Sequence, residues 1–116
     1  MSSKRETGAR YESIAAGFLR LNGYDILERN YRSRTGEIDI IAFDKNYLCF
    51  VEVKYRSSLV SGYPSEAVDH RKQMKIINTS KHYIVSHGMR DPLVRYDIVE
   101  IVGNRIRILK NSFGGF

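Results

Sequence analysis

The stretch Gly36-Glu37-Ile38-Asp39-Ile40-Ile41-Ala42-Phe43, followed after a short turn by Leu48-Cys49-Phe50-Val51-Glu52-Val53-Lys54, decides how this chain folds. Two apolar runs rich in Ile, Val and Phe flank Asp44-Lys45-Asn46, which is the pattern of a β-hairpin. A two-residue loop at Lys45-Asn46 sets the register: Asp44 faces Tyr47, Asp39 faces Glu52 and Glu37 faces Lys54. Side chains alternate along strands, so Glu37, Asp39, Glu52 and Lys54 are expected on one face. Ile38, Ile40, Ala42, Cys49, Val51 and Val53 then form the other, an unbroken core face. Toward the turn Ile41, Phe43, Leu48 and Phe50 make the charged face apolar as well, so both faces should be buried at that end. Opposed residues bring their Cβ atoms to roughly 5 Å, where like charges repel. Asp39 and Glu52 therefore need compensation, from a divalent cation or from the Lys54 ammonium.

Outward from the hairpin, a helix is predicted over about Gly8–Asn22, where Tyr11, Ile14, Ala15, Phe18, Leu19 and Leu21 recur at helical spacing and Gly23 supplies a stop. Residues 1–7 are polar and expected to be flexible. Tyr24 to Arg32 reads as a first strand, leading into the cluster Arg29, Arg32 and Arg34. Beyond Lys54 a polar loop precedes Asp69, the N-cap of a helix running to about Ser86. Arg71, Lys72 and Lys75 sit in its first turns, where cations oppose the helix dipole and so suggest an anionic neighbour. Leu93 to Val102 is a strand, Gly103-Asn104 a hairpin turn and Arg105 to Leu109 the return. Residues 111–116 form a glycine-rich tail with two phenylalanines. His70, His82 and His87 lack paired metal-ligand spacing and read as surface residues. The order α-β-β-β-α-β-β gives an α/β fold, a mixed β-sheet flanked by helices, in a single domain spanning residues 1–116.

Lys and Arg number 19 against 13 Asp and Glu, a net charge of +6 that favours polyanions, nucleic acid before membrane. No apolar run reaches membrane-spanning length and the N-terminus lacks the apolar core of a signal peptide. The lone cysteine, Cys49, sits in an apolar strand as a structural thiol. A soluble cytoplasmic protein is the expectation.

Carboxylates on adjacent strands suit a hard cation such as Mg²⁺, which takes oxygen ligands and keeps positions for water and phosphate. A lysine beside them would orient the attacking water or stabilise charge, and the Val53 carbonyl is a further ligand candidate. An Asp/Glu pair with Lys also describes a structural salt-bridge network. Spacing alone leaves these two readings level. Glu12, within the first helix, has the spacing of a solvated surface residue.

The pattern Asp39, then Glu52-Val53-Lys54 on the next strand, resembles the PD-(D/E)XK nuclease signature, with Ile38 where that signature has proline. Taken together, Gly36 to Ala42, Phe50 to Arg56, Glu66-Ala67-Val68 with Lys72, and Arg95-Tyr96-Asp97-Ile98-Val99 resemble the small bacterial YraN-like (UPF0102) family, which is similar to archaeal-type Holliday junction resolvases. The resemblance runs from Gly8 to Phe113. It implies a restriction-endonuclease-like fold and a Mg²⁺- or Mn²⁺-dependent endonuclease acting on DNA, more than on RNA, including branched or structured DNA. It assigns catalysis to Asp39, Glu52 and Lys54, and it adds Glu12 to Asp39, Glu52 and Val53 as metal ligands. Lys72 matches a basic helix position near the site in related nucleases. Arg32, Arg34, Arg56 and Lys72 would contact phosphates, which position a nucleic acid without reading its sequence. Resolvases of this type act as homodimers, although no stretch here marks a dimer face. Against an enzyme stands a non-catalytic nucleic-acid-binding module on the same scaffold, and beyond it a protein-binding module using the Phe113–Phe116 tail.

Overall fold

The computed structural model describes residues 4–56 and 69–114. The motif Glu66-Ala67-Val68, the polar loop before it and Phe116 lie outside them. Seven elements follow in order: α1 (Lys4–Leu21), β1 (Asp25–Ser33), β2 (Gly36–Asp44), β3 (Tyr47–Arg56), α2 (His70–Ser86), β4 (Leu93–Val102) and β5 (Arg105–Phe113). The strands form one five-stranded sheet in the order β1-β2-β3-β4-β5. Only β3 and β4 are parallel; the other neighbours are antiparallel.

The central strand shows why the pattern works. Leu48 to Val53 are buried without interruption, as a strand covered on both faces requires. On one side Ala15, Ala16 and Leu19 of α1 pack on Ile40, Ala42, Cys49, Val51, Val53, Val99 and Ile101. On the other, Ile76, Ile77 and Tyr83 of α2 pack on Ile38, Ile41, Leu48, Phe50, Tyr96, Ile98 and Phe113. The result is an α/β fold with a mixed, open sheet between two helices. No helix among the described residues is long and apolar enough to cross a membrane.

The hairpin turns where the sequence places it. Asp44 pairs with Tyr47 and the register runs on to Ile40 with Val51, with Lys45 at φ 56° in the loop. Asp69 caps α2, its Oδ1 accepting the Lys72 N–H at 2.8 Å. Val102 pairs with Arg105 around the Gly103-Asn104 turn.

Several expectations need correction. α1 starts at Lys4 rather than Gly8; its first turns are polar, so they carry no apolar period, while Glu6 favours the positive helix start. Ile14 and Leu21, counted with the apolar stripe, are exposed. β5 continues through Asn111 and Ser112 to Phe113, so half of the supposed tail is strand. A bulge permits this: Asn111, at φ 54°, donates its N–H to Asp97 Oδ1 at 2.9 Å, and Phe113 stacks on Tyr96 at 5.2 Å.

Alternation also fails at one point on β2. Ile40 and Ala42 face α1, yet Ile38 belongs with Ile41 to the cluster beneath α2. The core face is therefore broken at Asp39. The facing position on β1 is irregular too, because Asn30 takes φ 55°, a left-handed conformation that Asn tolerates. Both strands switch faces there, and their pairing resumes with Tyr31 opposite Ile38.

Candidate functional site

Asp39 stands where β2 and β3 part company. The paired register stops at Ile40 with Val51. Next along, the Val53 N–H donates to Asp39 Oδ2 at 2.8 Å instead of to a β2 carbonyl. A side chain thus takes the place of a ladder bond, and a gap opens between the strands. Glu37 does not face Lys54 as the simple register requires; it pairs across to Arg32, with Nε 3.5 Å from Oε1. The reason is the same divergence, which leaves Glu37 with β1 as its only sheet neighbour.

Two cavities meet at Asp39. The first, about 360 Å³ on the α1 side, is lined by Gly8, Ala9, Glu12, Asn30, Arg32, Glu37, Asp39, Val53 and Tyr55. The second, about 230 Å³ on the α2 side, is lined by Gly36, Glu37, Asp39, Glu52, Lys72, Lys75 and Ile76. The turn between β1 and β2 shapes the second. Thr35 Oγ1 is 2.8 Å from Thr79 Oγ1 of α2, and Gly36, at φ 152°, lies so close that a Cβ would come within 3.2 Å of the same atom.

The carboxylates form a row with Asp39 in the middle, Glu12 on one side and Glu52 on the other. Glu52 is only 4% exposed, and its Oε2 is buried without a hydrogen-bond partner. Burial first, then contact with Asp39, push the Glu52 carboxyl well above its usual range, against the pull of Lys72 and Lys54. Glu12 is driven up to about 7 by burial and then by Asp39. The Asn30 amide, oriented with its nitrogen toward Glu12, donates to both carboxylate oxygens, at 2.8 and 3.1 Å. That orientation is inferred from hydrogen bonding. Among the described residues, no three His, Cys, Asp or Glu side chains close around one point as a ready metal cage would.

Two lysines meet beside the row. Burial, then the neighbouring Lys72 ammonium, push Lys54 down to about 8. Lys72 is affected most by burial, which acts downward, but Glu52 and the contact with Lys54 outweigh this and raise it. Lys72 therefore keeps its proton and Lys54 is the one to release it. The anionic neighbour that the basic start of α2 implied is Glu52.

The structure brings together Glu12, Asp39, Glu52, Val53, Lys54 and Lys72, with Arg32 at the rim. Arg34 is exposed in the β1–β2 turn and Arg56 ends β3 opposite Val102; neither lines either of these two cavities. Three contributors were missed. Asn30 carried a signal, an Asn inside an apolar-alternating strand. Lys75 was counted only as a charge. Tyr55 was unremarkable until its stacking on Tyr11 placed it at the cavity wall.

Relatives of this chain share nearly its whole length. A protein of Lachnoclostridium phytofermentans is 43% identical over 115 residues, covering 98% of each chain, and carries the name UPF0102 protein. A UPF0102 protein of Persephonella marina is 47% identical, covering 91% of each, and one of Clostridium botulinum is 42% identical, covering 94% of each. The profile described as uncharacterised protein family UPF0102 matches residues 11–101, spanning α1 from Tyr11 onward, β1 to β3, α2 and nearly all of β4. The chain belongs to the UPF0102 family.

Proposed function

We propose that this protein is a metal-dependent nuclease that hydrolyses phosphodiester bonds in DNA. One observation carries the reading: Glu52 is held buried against Asp39 with one oxygen lacking any partner. Buried carboxylates are rarely left so, and a hard divalent cation would supply the missing contact and relieve the repulsion.

Asp39 and Glu52 offer the hard oxygen donors that Mg²⁺ or Mn²⁺ takes and, with the Val53 carbonyl, would hold the ion; Glu12 would join only by moving in from the α1 side, since the three carboxylates do not close around one point. Such an ion, when bound, acidifies a water and neutralises charge on the phosphorus centre. The chain's own groups do the rest. Lys54 Nζ, lowered to about 8, releases its proton to solvent in a fraction of molecules near neutral pH; that neutral amine orients the attacking water and takes up its proton, while the ammonium form would stabilise charge instead. Lys72 Nζ stays charged and, with Arg32, Arg34 and Arg56, contacts phosphate oxygens. The net charge of +6 supports a polyanionic substrate. The motif resemblance to PD-(D/E)XK nucleases and Holliday junction resolvases supports DNA, with branched or structured forms included. Cytoplasmic action suits the single buried Cys49, whose thiol burial pushes up to about 12.

Plasmid and branched oligonucleotides incubated with Mg²⁺ or Mn²⁺ test this directly. Cleavage should fall by about 100-fold or more in Asp39→Ala and in Lys54→Ala, with circular dichroism unchanged. Absence of cleavage of DNA or RNA across metals and substrate shapes would end the nuclease reading. Salt-dependent binding indifferent to EDTA would then mark a binding module instead.

A further inference from the structure

Beside the carboxylate row lies an aromatic pair that the proposed cleavage chemistry does not use. Tyr11 of α1 and Tyr55 of β3 stack with ring centroids 4.1 Å apart and planes 14° from parallel. Tyr11 packs against the α1-side core, so the inner ring is anchored. Tyr55 is 39% exposed and lines the cavity of about 360 Å³ that also holds Glu12, Asp39 and Val53. A tyrosine serving only as filler would bury its ring. Here one face is backed by another aromatic, while the residue stays partly exposed at the wall of the cavity. Tyr55 also directly follows Lys54 in sequence, so its backbone is fixed by the strand that carries Glu52.

We propose that Tyr55, supported by Tyr11, is a stacking subsite for an unpaired nucleobase next to the scissile phosphate. The idea rests on the nuclease reading and narrows its substrate. Asp39 lines both the cavity that holds Glu52 and the one that Tyr55 lines, so a phosphate held at Asp39 borders the cavity of the aromatic pair. Bases inside a duplex cover each other's faces, so only an unstacked base can offer its face to Tyr55. Stacking on an aromatic ring accepts any of the bases. The preferred substrate therefore has a bulged, flapped or otherwise unpaired nucleotide beside the cut, and a fully paired duplex does not engage the subsite.

Two duplexes of the same sequence separate the cases, one with 2-aminopurine as a single-nucleotide bulge and one with it fully paired. Binding is followed in Ca²⁺ by fluorescence and anisotropy. The wild type and Tyr55→Phe should quench the bulged probe. Tyr55→Leu, which keeps apolar packing on Tyr11, should lose the quenching and bind the bulged probe about fivefold or more weakly, with paired-duplex affinity unchanged. Equal affinities in wild type and Tyr55→Leu, or an equal loss on both probes, would overturn the subsite. If Mg²⁺-dependent cleavage survives in that case with unaltered preference, the subsite alone falls. If the wild type binds neither probe and cuts nothing, the nuclease reading falls with it.

Discussion

Two clusters of buried charge sit at opposite ends of the β2–β3 hairpin, and they are built on opposite rules. At the turn end, Asp97 is fully buried and accepts from Tyr24 Oη, from Arg95 Nε and Nη2, and from the Asn111 N–H, all within 2.8 to 2.9 Å. Asp44 Oδ2 accepts from Arg95 Nη2 at 2.6 Å and from Lys110 Nζ at 3.0 Å. Two carboxylates meet two cations, and the hydrogen bond to Arg95 holds Asp44 below its usual range despite burial. At the open end, Glu12 and Glu52 share Asp39 as a neighbour, a Glu52 oxygen has no partner, and one of the two lysines is driven toward its neutral form. A satisfied network holds a fold together; an unsatisfied one stores a demand for a ligand. The same strands carry both, so the well-paired end secures the scaffold on which the poorly paired end is held.

That contrast should show first in stability. Arg95→Leu leaves Asp44 and Asp97 buried without their main partner and should cost about 3–5 kcal/mol in urea unfolding. A cost below about 1 kcal/mol, the range of exposed pairs, would erase the difference between the two ends. A change at the open end should have the opposite sign. Glu52→Gln removes a like charge from Asp39 and should raise metal-free stability by about 0.5–2 kcal/mol, while abolishing both cleavage and any stabilisation by Mn²⁺. Destabilisation of the metal-free protein by Glu52→Gln would mean that its carboxyl is already well paired.

The smallest effects lie in pH dependence, and the two ends should again diverge. Asp44 has a depressed folded-state pKa, so its contribution is present above its ordinary value of 3.8 and is lost as pH falls below it. Glu12 has a raised one, so its contribution is present below 4.5 and is lost as pH rises toward about 7. Thermal melts in EDTA should therefore show wild type losing ground to Glu12→Gln between those values, and gaining on Asp44→Asn as pH climbs through about 4. Parallel profiles for the two variants would break the comparison.

Much of this was written in the chain. The alternation of Ile, Val and Phe around Lys45-Asn46 fixed a two-residue hairpin, because the turn leaves one register that buries the apolar residues. Asp69 and Gly103-Asn104 marked their cap and turn through local chemistry that needs no distant partner. The row of acids was visible as Asp39 and Glu52-Val53-Lys54, since the motif lies on two strands joined by that hairpin. What tertiary structure alone decided is everything that depends on β1, α1 and α2 arriving at the same place. The switch of faces at Asn30 and Asp39 cannot be read from either strand, because each irregularity is accommodated by the other. Glu12 and Asn30 are far apart in both chain position and pattern from Glu52; the pairing of β1 with β2 brings Asn30 to Asp39, and the packing of α1 on the sheet brings Glu12. Periodicity reports which side of an element is buried; it carries no information about which polar groups will share the space where two elements end.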